Sequence, residues 1–106
     1  MLELLFYLIN ATISEPIDLV YFGRGLAEII EYEVSPDFFT LAYSFITGKG
    51  DCMNYAKITG LMLWFKGIDY DEVSYMVNET VGHFYLNVHF DSCLLHYDVA
   101  NNDYYC

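Results

Sequence analysis

Positive charge is what this chain has least of. Its 106 residues carry 4 Lys+Arg against 15 Asp+Glu, a formal net charge of −11 with histidine neutral. A nucleic-acid backbone is bound mainly through Lys and Arg, so a nucleic-acid partner is excluded. The macromolecule that such a charge steers in is a basic peptide or protein. Cysteine is nearly as scarce. Cys52, Cys93 and Cys106 form no C-x-x-C pair and no dense framework, so neither a structural zinc site nor a disulfide scaffold is indicated. An odd count leaves at least one thiol free in a monomer. A long apolar run is also lacking. The stretch from Leu2 to Ile9 contains Glu3, has no basic flank and is far too short to span a bilayer. No signal peptide and no membrane partner are expected. The compartment is cytoplasmic by default, and secreted if the chain is a piece of a longer precursor. Repeats, linkers and low-complexity segments are absent.

Apolar and aromatic residues are plentiful. The chain is 56% hydrophobic and 19% aromatic, with 11 Tyr and 8 Phe, which rules out disorder. Its length suits one domain, which buries about two-thirds of its unfolded surface in a single core. So many aromatics also suggest a sticky surface, either a groove or a homodimer face.

The first half reads as helical, over residues 1–47. Leu2, Leu5, Phe6 and Ile9 fall on one helical stripe, the predicted docking face of a short first helix. Ser14 is the expected N-cap of a second helix, with Pro16 in its first turn. Gly23-Arg24-Gly25 should break or kink that helix, since each glycine costs about 1 kcal/mol in a helix interior. Ser35-Pro36-Asp37 signals a third start, followed by Phe38, Phe39, Leu41, Ala42, Phe45 and Ile46 at helical spacing.

Residues 48–67 organise the rest. Asp51 is a strong N-cap, Gly48 and Gly50 punctuate the approach, and Gly67 is placed to close the helix. Between them the helix is apolar on nearly every face, so it should be central and covered on several sides. Cys52 falls at the first helical position, where unpaired backbone N–H groups favour thiolate. Lys49, Lys57 and Lys66 give this segment a local positive charge, either for solubility or in support of a thiolate. Taken alone, a cysteine at a helix start is a small buried hydrophobe.

After Gly67 the period changes to two, predicting an antiparallel sheet over 72–100 and an α+β fold. Val73, Tyr75 and Val77 alternate with polar residues. Phe84, Leu86, Val88 and Phe90 then alternate with His83, Tyr85, Asn87 and His89. A third strand carries Leu94, His96, Asp98 and Ala100 on one face, and Tyr104-Tyr105-Cys106 is left as a tail. A two-residue turn at Asp91-Ser92 sets Phe90 opposite Cys93 and Tyr85 opposite Asp98. His83 and Asp98 then share a sheet face on a diagonal, within side-chain reach. One imidazole nitrogen can meet the carboxylate while the other faces Cys52 on the helix packed across the sheet. A thiol, an imidazole and an orienting acid make a nucleophilic triad. His89 and His96 are the competing histidines on the same strands. Cys93 and Cys106 read as structural, with a disulfide between them left open.

Four pieces in order, Gly50-Asp51-Cys52 with Tyr55-Ala56, Gly67-Ile68, His83-Phe84-Tyr85-Leu86-Asn87-Val88 and His96-Tyr97-Asp98-Val99, resemble the transglutaminase-like superfamily. That family shows G-x-C-x-x-(Y/F)-A at a helix start, G-I after it, H-(A/F)-W-x-x-V on a strand and D at the end of the next. The match covers roughly the last two-thirds of the chain. Two departures are visible: Tyr85 stands where the family has Trp, and Val99-Ala100 follows the acid where Pro or Thr is usual. The resemblance implies a papain-like core with Cys52 as nucleophile, His83 as base and acid, and Asp98 as orienter. It implies no cofactor, and no calcium loop is visible.

The expected reaction is acyl transfer on a peptide or protein amide through a Cys52 thioester, with hydrolysis favoured over crosslinking. The Cys52 backbone N–H would serve the oxyanion. Tyr43 and Tyr55 are candidates for a second donor, and Tyr85 for substrate contact. The rival expectation is an inactive module that keeps the fold and holds a basic peptide. A catalytic piece of a larger protein is the third.

Overall fold

The structure is a computed structural model that describes residues 2–34, 41–80 and 82–106. The elements run α1 (Leu2–Asn10), α2 (Pro16–Ile29), β1 (Glu31–Tyr32), α3 (Leu41–Thr47), β2 (Lys49–Gly50), α4 (Cys52–Phe65), β3 (Tyr70–Met76), β4 (Gly82–His89), β5 (Leu94–Asp98) and β6 (Asp103–Tyr105). Helices come first and an antiparallel sheet of order β3-β4-β5-β6 follows, the α+β arrangement read from the change of period. The predicted helix start at Ser35-Pro36-Asp37, with Phe38 and Phe39, lies outside the described residues.

Helix α4 begins where its cap predicts. Asp51 Oδ1 accepts the backbone N–H of Met53 at 3.0 Å and of Asn54 at 3.1 Å. Asn54 Oδ1 returns the favour to the Asp51 N–H at 3.1 Å, which completes a reciprocal capping box. Gly67, at φ 75°, closes the other end in a left-handed conformation that costs glycine nothing. Tyr55, Ala56, Ile58, Met62 and Leu63 are buried against Leu86, Val88, Leu95 and Tyr97 of the sheet and Leu19, Phe22 and Leu26 of α2. Each large side chain buried this way contributes about 1.5–3 kcal/mol. The helix is covered as expected over its first three turns, whereas Trp64 and Phe65 at its far end stay exposed.

Several expectations about the helical half need correction. In α1 the buried residues are Leu4 and Leu8, and the predicted stripe of Leu2, Leu5, Phe6 and Ile9 is exposed. Helix α2 is capped at Glu15 rather than Ser14. Asp18 Oδ2 accepts both the Ser14 and Glu15 N–H groups at 2.9 Å. It runs unbroken through Gly23-Arg24-Gly25. The glycines are there for close approach: a Cβ on Gly23 would sit 1.7 Å from the Tyr97 hydroxyl, and one on Gly25 would sit 2.2 Å from the Tyr7 hydroxyl. The tyrosines take the space that side chains would fill. Strands β1 and β2 add a short parallel pair inside the helical half, with Glu31 opposite Lys49 and Tyr32 opposite Gly50.

The sheet register follows the predicted turn. Phe90 N–H donates to Cys93 O at 3.0 Å, and Leu86 stands opposite Tyr97, Asn87 opposite His96 and Val88 opposite Leu95. The sheet is wider than 72–100. β3 starts at Tyr70, and the supposed tail folds back as β6, pairing His96 with Tyr105, Tyr97 with Tyr104 and Asp98 with Asp103. A Cys93–Cys106 disulfide ties the end of the chain to the start of β5, and Cys52 is the free thiol. No helix among the described residues is long and apolar enough to cross a membrane.

Candidate active site

The thiol sits where a helix end meets a strand. Cys52 opens α4, half-buried, and the backbone N–H groups of Phe84, of Met53 and of Cys52 itself favour its thiolate. Phe84 is the residue after His83 on β4, so the thiol lies against the histidine's own stretch of strand. The electrostatics differ from the sequence expectation of a lowered thiol pKa. Burial pushes the Cys52 thiol up from its ordinary value, the Asp51 carboxylate beside it pushes further up, and the three amides only partly offset this. The capping group that starts the helix thus opposes a thiolate at its first residue. Two of the lysines are engaged elsewhere. Lys57 Nζ pairs with Glu72 Oε1 at 2.8 Å, and Lys66 Nζ donates to the Ile9 carbonyl at 2.7 Å. The neutral thiol is therefore the favoured form of Cys52.

His83 and Asp98 meet as the diagonal register requires. The His83 Nε2 to Asp98 Oδ2 distance is 2.7 Å, with both side chains largely buried. Nε2 is the ring nitrogen that meets the acid, and Nδ1 is the one turned away from it. The acid is itself held: Asn101 Nδ2 donates to Asp98 Oδ2 at 2.9 Å. Next to the dyad on the same sheet face runs a row of rings. Tyr75 stands edge-on to His83 and to Tyr85. Tyr85 stacks on His96 at 4.1 Å between centroids, and His96 on Tyr105 at 4.4 Å.

The three candidate tyrosines fall in different places. Tyr55 is buried in the core and its hydroxyl donates to the Ile30 carbonyl. Tyr43 donates to Glu33 Oε2 at 3.1 Å. Tyr85 belongs to the ring row beside His83. The structure brings none of their hydroxyls to the sulfur by these bonds. It brings Tyr32 near instead: the Cys52 thiol and backbone N–H both act on the Tyr32 hydroxyl. Burial, then the Cys52 and Asp51 charges, raise the Tyr32 pKa, so the hydroxyl keeps its proton. Strand β1 sets Tyr32 opposite Gly50, two residues before Cys52, and its ring stands edge-on to Tyr55 with centroids 5.8 Å apart. The sequence signal was a four-residue alternation, Glu31-Tyr32-Glu33-Val34, too short to be read as a strand. Among the described residues no three of His, Cys, Asp and Glu gather as a metal-holding group.

No family model matches the chain, and no curated protein matches its sequence. Its fold does match solved structures. One described as "Crystal structure of a TGase" superposes with a TM-score of 0.72 over 92% of this chain at 16% sequence identity. This chain spans 30% of the length of that one. The fold is thus α+β with a transglutaminase-like neighbour.

Proposed function

We propose that the chain is a transglutaminase-like domain that carries out cysteine-dependent acyl transfer on peptide or protein amides, with hydrolysis ahead of crosslinking. The observation that supports this most is the His83–Asp98 hydrogen bond on the strand whose next residue, Phe84, acts through its backbone N–H on the Cys52 thiol. In this reading His83 Nδ1 takes the thiol proton as Cys52 Sγ bonds to the substrate carbonyl carbon. The oxyanion is met by the Cys52 N–H, with the Tyr32 hydroxyl, on which Cys52 acts, as the second donor. The imidazolium then protonates the leaving amine as the C–N bond breaks, and a thioester remains. Water attacks the thioester with its proton going to His83, and the acid departs as the thiol is restored. A primary amine in place of water would give a new amide. The net charge of −11 favours a substrate with basic flanking residues.

The raised thiol pKa favours a second reading, an inactive peptide-binding module on the same fold. Mass spectrometry of the chain with amide and activated-ester acyl donors separates the two. The enzyme reading expects an acyl adduct on Cys52 that water discharges and that Cys52→Ala abolishes. Binding of basic peptides with no adduct from any donor would leave only the module.

A further inference from the structure

The triad acid is held by a loop that the chain closes covalently. Asp98 Oδ2 accepts from His83 Nε2 at 2.7 Å and from Asn101 Nδ2 at 2.9 Å, and Oδ1 takes the longer Asn101 N–H at 3.4 Å. Asn101 stands in the turn at residues 99–102. This turn is closed by Asn102 N–H on Val99 O at 3.1 Å, with Asn102 left-handed at φ 50° and its Oδ1 accepting the Tyr97 hydroxyl at 2.8 Å. Strand β6 then returns along β5. It is three residues long, its two tyrosines are about half exposed, and it sets Asp103 opposite Asp98. Besides its ladder to β5, this short strand is held by the Tyr105 ring on His96, while the like charges of Asp98 and Asp103 oppose it. Strand β5, the turn and β6 all lie between Cys93 and Cys106, the two ends of the disulfide.

We propose that this disulfide-closed loop is the positioning device of the dyad, with Asn101 as its positioning residue, and that reducing Cys93–Cys106 weakens the site without unfolding the domain. The proposal rests on the roles given above to Cys52, His83 and Asp98. In the redox step a dithiol supplies two electrons and two protons. The S–S bond breaks, two thiols form, and the reductant closes to its own disulfide. Cys52 is outside that couple. With the clamp open, β6 is held to β5 only by its short ladder and the Tyr105–His96 stack, the turn loosens, and Asp98 no longer fixes which imidazole nitrogen carries the proton. The site would then be at full strength in an oxidising compartment and weaker in a reducing one.

The test uses the full chain with and without dithiol, and the variants Asn101→Ala, Asn101→Ser and Cys93→Ser/Cys106→Ser. Iodoacetamide labelling is followed on the Cys52 peptide alone, across pH, and the His83 ring is read by its 15N shifts. The labelling rate at neutral pH should fall about tenfold for Asn101→Ala, as for loss of a hydrogen bond to a charged group. It should fall similarly for the reduced wild type, and Asn101→Ser should recover part of it. The double serine variant should start low and ignore dithiol. Both kinds of loosening should shift the His83 15N signals towards a mixture of tautomers. Labelling and 15N signals unchanged within about twofold, for Asn101→Ala and reduced wild type alike, would overturn the proposal. So would loss of the circular dichroism of the fold on reduction, because the clamp would then be global. If Cys52 labelling in the oxidised chain ignores His83→Ala altogether, it is the acyl-transfer reading that fails. The 15N signals still decide whether the loop holds the pair.

Discussion

Strand β4 carries two histidine–aspartate pairs on one face, and they are almost the same length. His83 meets Asp98 at 2.7 Å and His89 meets Asp71 at 2.8 Å. The side chains of the first pair are 18% and 13% exposed, those of the second 49% and 67%. The outer pair is solvated and screened, in the class of surface ion pairs worth about 0–1 kcal/mol. The inner pair is shielded, shares its acid with Asn101, and lies one residue before Phe84, whose backbone acts on the free thiol. Distance alone does not separate the two pairs. Burial and the third partner do.

The sharpest way to break this comparison is to remove each imidazole in turn. His83→Ala should slow Cys52 alkylation at neutral pH by about 100-fold, the lower range for loss of a general base. The thiol, raised by burial and by Asp51, would then ionise only above its ordinary range. His89→Ala should leave the pH profile of alkylation unchanged. Equal effects from the two variants would erase the distinction.

The acids should divide in the same way but more weakly. Asp98→Asn should cost about 2 kcal/mol in stability to urea, because a shielded hydrogen-bonded carboxylate is lost from two partners. Asp71→Asn should cost less than about 0.5 kcal/mol at ordinary salt, given its exposure.

Tyr97, next to the inner acid on β5, extends the contrast to high pH. Its hydroxyl is buried and donates to Asn102 Oδ1, and burial, ahead of the neighbouring Tyr7 and Asp98 charges, holds its pKa far above the ordinary value. The unfolded chain releases this proton near pH 10 while the folded chain keeps it. Stability is therefore complete below about pH 10 and falls above it, by up to about 1.4 kcal/mol per pH unit for one proton. Urea melts between pH 9 and 11 should show that fall reduced in Tyr97→Phe. A smaller effect is expected inside α4, where the buried Thr59 hydroxyl has no hydrogen-bond partner. Thr59→Val should leave stability unchanged or raise it by about 1 kcal/mol, measured by thermal melting.

Much of this geometry was legible before any coordinates. Asp51 as cap, Gly67 as terminator and the turn at Asp91-Ser92 are local signals, and together they fix the start of α4 and the diagonal between His83 and Asp98. Other features were ambiguous for physical reasons. Helix α1 has leucines on both of its faces, so periodicity alone could not choose Leu4 and Leu8 over Leu5 and Ile9. Gly23 and Gly25 look like helix breakers until Tyr97 and Tyr7 are seen occupying the space above them. The segment 104–106 looks like a tail because three residues carry too little pattern to show a strand.

The sequence by itself determined the order of elements, the cap that places Cys52 at a helix tip, and the alternation that puts an imidazole and a carboxylate on one face. These depend on hydrogen bonds and periodicities that span only a few residues. Tertiary structure alone decided that Tyr32 stands near Cys52, that the thiol pKa is raised rather than lowered, and that a disulfide closes the loop behind Asp98. Each of these depends on burial or on a partner far away in the chain, and neither is written into any short stretch of residues.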